Sequence, residues 1–121
     1  MLSIKRVYDK RESNDGRRIL VDRLWPRGLT RERASIDAWA KDLAPSDELR
    51  RWFGHDASRW LEFKQRYIQE LSSPEQGRLL DEIAREAVKS NVTLVFGAKD
   101  VKYNNARVLE ELISKLMTDI T

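Results

Sequence analysis

Ile19, Leu20 and Val21 form an unbroken apolar run that ends abruptly in charge at Asp22-Arg23, and then in Leu24-Trp25-Pro26-Arg27-Gly28. A helix or a half-exposed strand of this length would interleave polar residues. A short continuous run stopped by Pro and Gly fits a strand buried on both faces, and such strands belong to sheets covered on both sides. Val92 to Phe96, closed by Gly97, repeats the pattern. A third apolar stretch begins near Ile4 and ends at Val7-Tyr8, and the polar segment Asp9 to Gly16 behind it reads as a turn.

Helical signals fill the rest. Thr30 to Ala34 is long enough for one turn, and Ile36, Trp39 and Leu43 stand at steps of three and four, which predicts a helix that Ala44-Pro45 breaks. Ser46 caps a next helix carrying Leu49, Trp52 and Phe53, with Asp47 and Glu48 in its first turn and Gly54 at its end. Asp56 caps a longer one with Trp60, Phe63, Tyr67 and Leu71 along one stripe. These aromatic residues read as core and not as a platform for stacking bases. Ser73-Pro74-Glu75-Gln76 is a strong helix start, and the helix from Pro74 to Lys89 buries Leu79, Leu80, Ile83, Ala84, Ala87 and Val88. Asn104 caps a last helix with Val108, Leu109, Leu112, Ile113 and Leu116 inward.

The order β-β-α-α-α-α-β-α predicts an α/β fold: a small, mostly parallel three-stranded sheet covered by about five helices, in a single domain over residues 1–121. The link between the first two strands is only about eight residues, short for a parallel crossover, so their relative direction stays open.

Composition narrows the function classes. The chain has no cysteine, which removes disulfides and cysteine-held metals. One histidine and no metal-ligand spacing leave no metal site to assign, and no cofactor is named by any motif. Gly-rich nucleotide loops, a Walker lysine and a serine nucleophile elbow are absent. No signal peptide or membrane-spanning run is recognisable, so a cytoplasmic protein without a membrane role is expected. Net charge is +3, unevenly spread: residues 1–35 hold 10 basic and 5 acidic side chains, the remainder 13 and 15. That bias favours anionic partners, or is a solvated mixed-charge surface.

Two loops carry the candidate chemistry. Asp22 to Gly28 follows a buried strand, where open α/β sheets bind ligands. Arg23 and Arg27 offer fork-shaped donors for phosphate or carboxylate, Trp25 a flat face, and Asp22 a proton-handling carboxylate. The structural alternative pairs Asp22 with Arg23 or Arg27 and buries Trp25 in the core. The second loop, Gly97-Ala98-Lys99-Asp100, follows the last strand. Lys99 could hold an anion and Asp100 could act as acid or base, or the segment is a plain turn with an asparagine cap. Lys41 could reach the same crevice or lie on a helix surface. His55-Asp56 could pass a proton, although Asp56 also reads as a cap.

The run Arg18 to Gly28 resembles the signature of the YeaO-like branch of the domain-of-unknown-function family 488. So do Trp39-Ala40-Lys41, Leu43-Ala44-Pro45-Ser46, Trp52-Phe53 with His55-Asp56, Phe63 with Tyr67, and Gly97-Ala98-Lys99-Asp100 with Asn104 and Asn105. The resemblance covers almost the whole chain. It implies a compact α/β protein of bacterial or archaeal type with no assigned activity. It also implies a shared set of polar motif residues: Asp22, Arg23, Trp25, Arg27, Lys41, Lys99 and Asp100. Ala57 stands where that family often has proline. Three functions follow in order of preference. The first is binding of a small anionic ligand, with catalysis open and Asp22 and Asp100 as candidate catalytic groups. The second is nucleic-acid binding through the basic first third. The third is a structural or partner-binding role in which the motif is a buried ion-pair network. Oligomeric state is not determined by the sequence.

Overall fold

The computed structural model describes residues 1–120. Among these residues the sheet has four strands and not the three expected. They are β1 (Leu2–Arg6), β2 (Arg17–Leu20), β3 (Ala38–Trp39) and β4 (Val92–Phe96). Their order is β1-β4-β2-β3, and every neighbouring pair is parallel.

The extra strand replaces the helix expected around Ile36, Trp39 and Leu43. The outer edge of β2 needs partners for its backbone. Asp37 N–H donates to Arg18 O at 2.9 Å and Ala40 N–H to Leu20 O at 2.8 Å, while the Asp37 carboxylate accepts the Arg18 N–H at 2.9 Å. The three apolar residues at helical spacing then part company. Ile36 packs on one side of the sheet, Leu43 is buried on the other, and Trp39 stays at the exposed edge. Lys41–Leu43 forms a single 3₁₀ turn.

Both β1 and β2 run parallel to β4, which lies between them, so residues 7–16 return across β4 in ten residues and without a crossover α-helix. Arg18 holds this short crossing. Its side chain is fully buried; Nη1 donates to Asp15 Oδ2 at 2.9 Å, and Nη2 to the carbonyls of Val7 (3.3 Å) and Ala34 (3.1 Å). Lys5 adds a second cation on Asp15, and Thr93 of β4 donates to the Asp15 carbonyl at 2.7 Å. Burial pushes the Asp15 carboxyl up, but the hydrogen bonds from Arg18, the Glu12 backbone and Lys5 outweigh it and hold it below 3.8. Gly16 enters β2 at φ +65°, and a β-carbon there would lie 2.0 Å from Asn91 O, so the crossing requires glycine.

Strand alternation sorts the two faces. Ile19, Val92, Leu94 and Phe96 face the main core with α2 (Asp47–Phe53), α3 (Trp60–Glu70), α4 (Pro74–Lys89) and α5 (Asn105–Ile120). Leu20 and Val95 face a smaller cluster with Val7, Ala34, Trp25, Leu29 and Ile36. That second face is covered by the crossing, by the loop after β2 and by the one-turn α1 (Arg31–Ala34), not by a helical layer. Among the described residues there are five α-helices, as expected, and four of them lie on one face of the sheet.

Caps fall where the side chains demand. Ser46 accepts Leu49 N–H, Ser73 accepts Gln76 N–H with Pro74 at the first helical position, and Asn104 accepts Arg107 N–H. Asp56 caps the 3₁₀ turn Ala57–Arg59 ahead of α3. No helix among the described residues is long and apolar enough to cross a membrane.

Candidate ligand-binding cleft

Because β2 and β4 are adjacent and parallel, both carry their chains out of the sheet at the same end. The loops that follow them wall a cleft of about 800 Å³, completed by the C-terminal end of α2 and the Gly54-His55 turn. A crevice beyond the carboxyl ends of parallel strands is where such sheets hold ligands.

Asp22 forms the base of the cleft. Oδ2 accepts Gly97 N–H at 2.8 Å, and Oδ1 accepts Asn105 Nδ2 at 3.1 Å. Asn105 also donates to Val21 O at 2.9 Å, tying the start of α5 to the end of β2. A β-carbon on Gly97 would stand 3.2 Å from Asp22 Oδ2, so glycine lets the two strand ends close up. Burial pushes the Asp22 carboxyl above 3.8, while the Gly97 and Asn105 hydrogen bonds and the charges of His55 and Arg50 pull it part of the way back.

Asp100 has a different task. Its Oδ1 accepts the N–H groups of Lys102 and Tyr103, each at 2.9 Å, and these bonds hold its carboxyl below 3.8. It shapes the turn into α5.

The cations are less committed. Arg23 spends Nε on Pro45 O at 3.0 Å and makes no ion pair among the described residues. Arg27 and Lys99 are exposed and make no ion pair among the described residues; Arg27 contributes only its carbonyl, which accepts the Tyr8 hydroxyl. Arg50 and Arg51 share the single carboxylate of Asp47. Five cationic side chains (Arg23, Arg27, Arg50, Arg51 and Lys99) therefore line the cleft against two carboxylates, Asp22 and Asp100.

Of the residues singled out from sequence, Asp22, Arg23, Trp25, Arg27, Lys99 and Asp100 meet at the cleft and Lys41 does not. Lys41 lies over the Trp39 ring at 5.2 Å, behind the loop. Trp25 lines the cleft, yet its indole N–H donates to Leu29 O at 2.7 Å and its ring meets Trp39 edge-on at 5.6 Å. It is a wall built into the smaller core. His55 sits at the rim in a left-handed conformation (φ +59°), directly after Gly54 at φ +53°. Asp56 is engaged with Ser58, not with His55. Arg50, Arg51, Phe53 and Tyr103 also reach the cleft, and no local signal marks them: each reads as helix surface, core or turn until the fold brings it there.

The profile of the DUF488-N3i family, described as the inactive DUF488-N3 subclade, matches residues 1–120. The chain belongs to this family. It is 41% identical over 116 residues to the uncharacterized protein YeaO of Escherichia coli (strain K12), covering 95% of this chain and 98% of YeaO. It is 38% identical over 111 residues to the uncharacterized proteins Mb3100c of Mycobacterium bovis and Rv3073c of Mycobacterium tuberculosis, covering 92% of each chain. No solved structure matches. The YeaO-like resemblance of the Arg18–Gly28 run thus extends along the whole DUF488-N3i domain, and that run ends in the first wall of the cleft.

Proposed function

We propose that this DUF488-N3i protein binds a small organic anion, carrying phosphate or carboxylate, at the carboxyl ends of β2 and β4. Binding and not turnover is its task. The observation that carries this reading is the excess of uncommitted cation in the cleft: Arg23, Arg27 and Lys99 have no carboxylate partner among the described residues. Guanidinium forks match phosphate and carboxylate oxygens in pairs, and a partly enclosed site strengthens each contact.

The two carboxylates support binding over proton transfer. Asp100 is occupied by two backbone N–H groups and stays ionised. Asp22 accepts on both oxygens and locks two strand ends together. The description of the family as inactive agrees. A chain without cysteine or a membrane-crossing helix among its described residues fits a cytoplasmic setting.

Four of the ten basic residues in the first 35 are held in ion pairs, and Arg23 and Arg27 of the same segment line the cleft and do not form a separate basic face for nucleic acid. Lys5, Arg11, Arg17 and Arg18 are spent on Glu12, Asp37, Glu86 and Asp15. A purely structural motif would pair Asp22 with an arginine and leave no cleft beside it. Asp22 instead bonds Gly97 and Asn105, and the cleft opens next to it.

The test is a thermal-shift and calorimetric screen of phosphorylated and carboxylated metabolites, nucleotides and short oligonucleotides. At 100 times its Kd a ligand stabilises by about 2.7 kcal/mol. A small-anion hit lost in Arg27→Ala supports the reading. Hits confined to oligonucleotides, with steep salt dependence, would replace it.

A further inference from the structure

The cations account for only part of the cleft. Its inner wall is aromatic: Phe53 and Phe63, nearly buried and stacked with centroids 4.3 Å apart, form its base, and half-buried Tyr103 presents the accessible ring, braced by Trp60 at 5.3 Å and with the Lys102 ammonium 5.2 Å from its centroid. Phe53, Phe63 and Tyr103 all border the cleft. Leu24, Trp25 and Pro26 of the loop after β2 also line it. Leu24 is 57% exposed although its neighbours Trp25 and Pro26 pack inward. A bare inorganic anion would use the cations and leave exposed Leu24 and half-buried Trp25 and Tyr103 in water.

Resting on the anion-binding reading above, we propose that the anion is carried on a flat apolar ring. The ring enters between Leu24 and the aromatic wall, while the charged group meets Arg23, Arg27 and Lys99. Ring-on-ring contact rewards planarity, because offset stacked or edge-on faces bring many atoms together at little cost in freedom. The Tyr103 hydroxyl has no hydrogen-bond partner among the described residues, so it is available to a polar substituent on that ring. Trp25 is not the stacking face, because its indole N–H and ring edge are already engaged with Leu29 and Trp39.

The experiment compares matched probes on the full chain by calorimetry and ligand-observed NMR: phenyl phosphate against inorganic phosphate, benzoate against formate, and butyl phosphate as the flexible apolar control. The aryl member of each pair should bind at least tenfold tighter, and phenyl phosphate should exceed butyl phosphate. Leu24→Ser, an exposed position that folding tolerates, should weaken phenyl phosphate several-fold and leave inorganic phosphate unchanged. Equal affinity within each pair would overturn the ring and leave the anion site standing. Butyl phosphate matching phenyl phosphate would also overturn it. Binding by none of the five probes would remove the anion reading together with this one.

Discussion

Asp22 and Asn105 lie 83 positions apart in the chain and meet at 3.1 Å, where the asparagine amide donates to both the Asp22 carboxylate and the Val21 carbonyl. This contact, with the Gly97 N–H on the other carboxylate oxygen, joins the end of β2, the end of β4 and the start of α5 into one rigid floor. Asp22→Ala leaves the Gly97 N–H without an acceptor and the Asn105 amide with only the Val21 carbonyl. It should cost about 1–3 kcal/mol in urea denaturation, with Asp22→Asn losing less because one amide oxygen still accepts. Wild-type stability in both variants would sink the idea that this floor is structural.

Arg18 and Asp15 are a buried pair at the short crossing into β2. Removing one partner strands the other, together with the carbonyls of Val7 and Ala34. Arg18→Ala should therefore lose about 3–5 kcal/mol, measured by chemical denaturation. Arg18→Lys should rescue little, because one ammonium cannot reach the spread of acceptors that a guanidinium fork spans. A loss under about 1 kcal/mol would mean that the short crossing stands without it.

Two glycines should respond in opposite directions to the same change. At Gly16 a methyl would meet Asn91 O at 2.0 Å with φ at +65°, so Gly16→Ala should give little folded protein. At Gly77, inside α4 with nothing within 4 Å of an added β-carbon, alanine should stabilise by about 0.5–1 kcal/mol. Circular-dichroism melts separate the two outcomes.

Acid stability follows from carboxyls shifted in opposite directions. Asp15 and Asp37 are both pushed up by burial, but hydrogen bonds leave them below 3.8. Each contributes stability that is complete above the unfolded value near 3.8 and is lost as pH falls through the folded value. Asp22 lies above 3.8, so its ionisation removes stability as pH rises through that window. Denaturation series between pH 2 and 6 (roughly the span of these carboxyl titrations) should show a shallower acid limb in Asp37→Asn. In Asp22→Asn the fall in stability between 3.8 and the Asp22 folded value should disappear. An Asp37→Asn limb as steep as wild type would refute the assignment.

Arg27 and Lys99 are exposed and make no ion pair among the described residues, so removing them separates binding from folding. Arg27→Ala and Lys99→Ala should each weaken anion binding about tenfold, the value of one charge-assisted contact of about 1.4 kcal/mol, with Tm within a degree or two of wild type. A large fall in Tm without loss of binding would place these side chains in the scaffold.

Much of this was legible in the chain, because its signals are local. The strands at Ile19–Val21 and Val92–Phe96, the caps at Ser46, Ser73 and Asn104, and the bounds of α4 each depend on residues within a turn or two of one another. The Asp22–Gly28 and Gly97–Asp100 loops were recognisable as neighbours once both strands were taken as parallel. Tertiary structure decided the rest, and in each case a distant backbone group made the choice. The β2 edge turned a helix-spaced segment into β3 because the carbonyls of Arg18 and Leu20 needed donors. Arg18, which in the sequence only opened the family-like run, became the support for a crossover too short to carry a helix. Lys41 went to the back of Trp39, while Arg50, Arg51, Phe53 and Tyr103 came to the cleft, because α2 and the turn before α5 end there. Sequence periodicity records which face of an element is apolar. Which strand lies beside which, and so which loops share a cleft, is settled only when every buried N–H and C=O has found a partner.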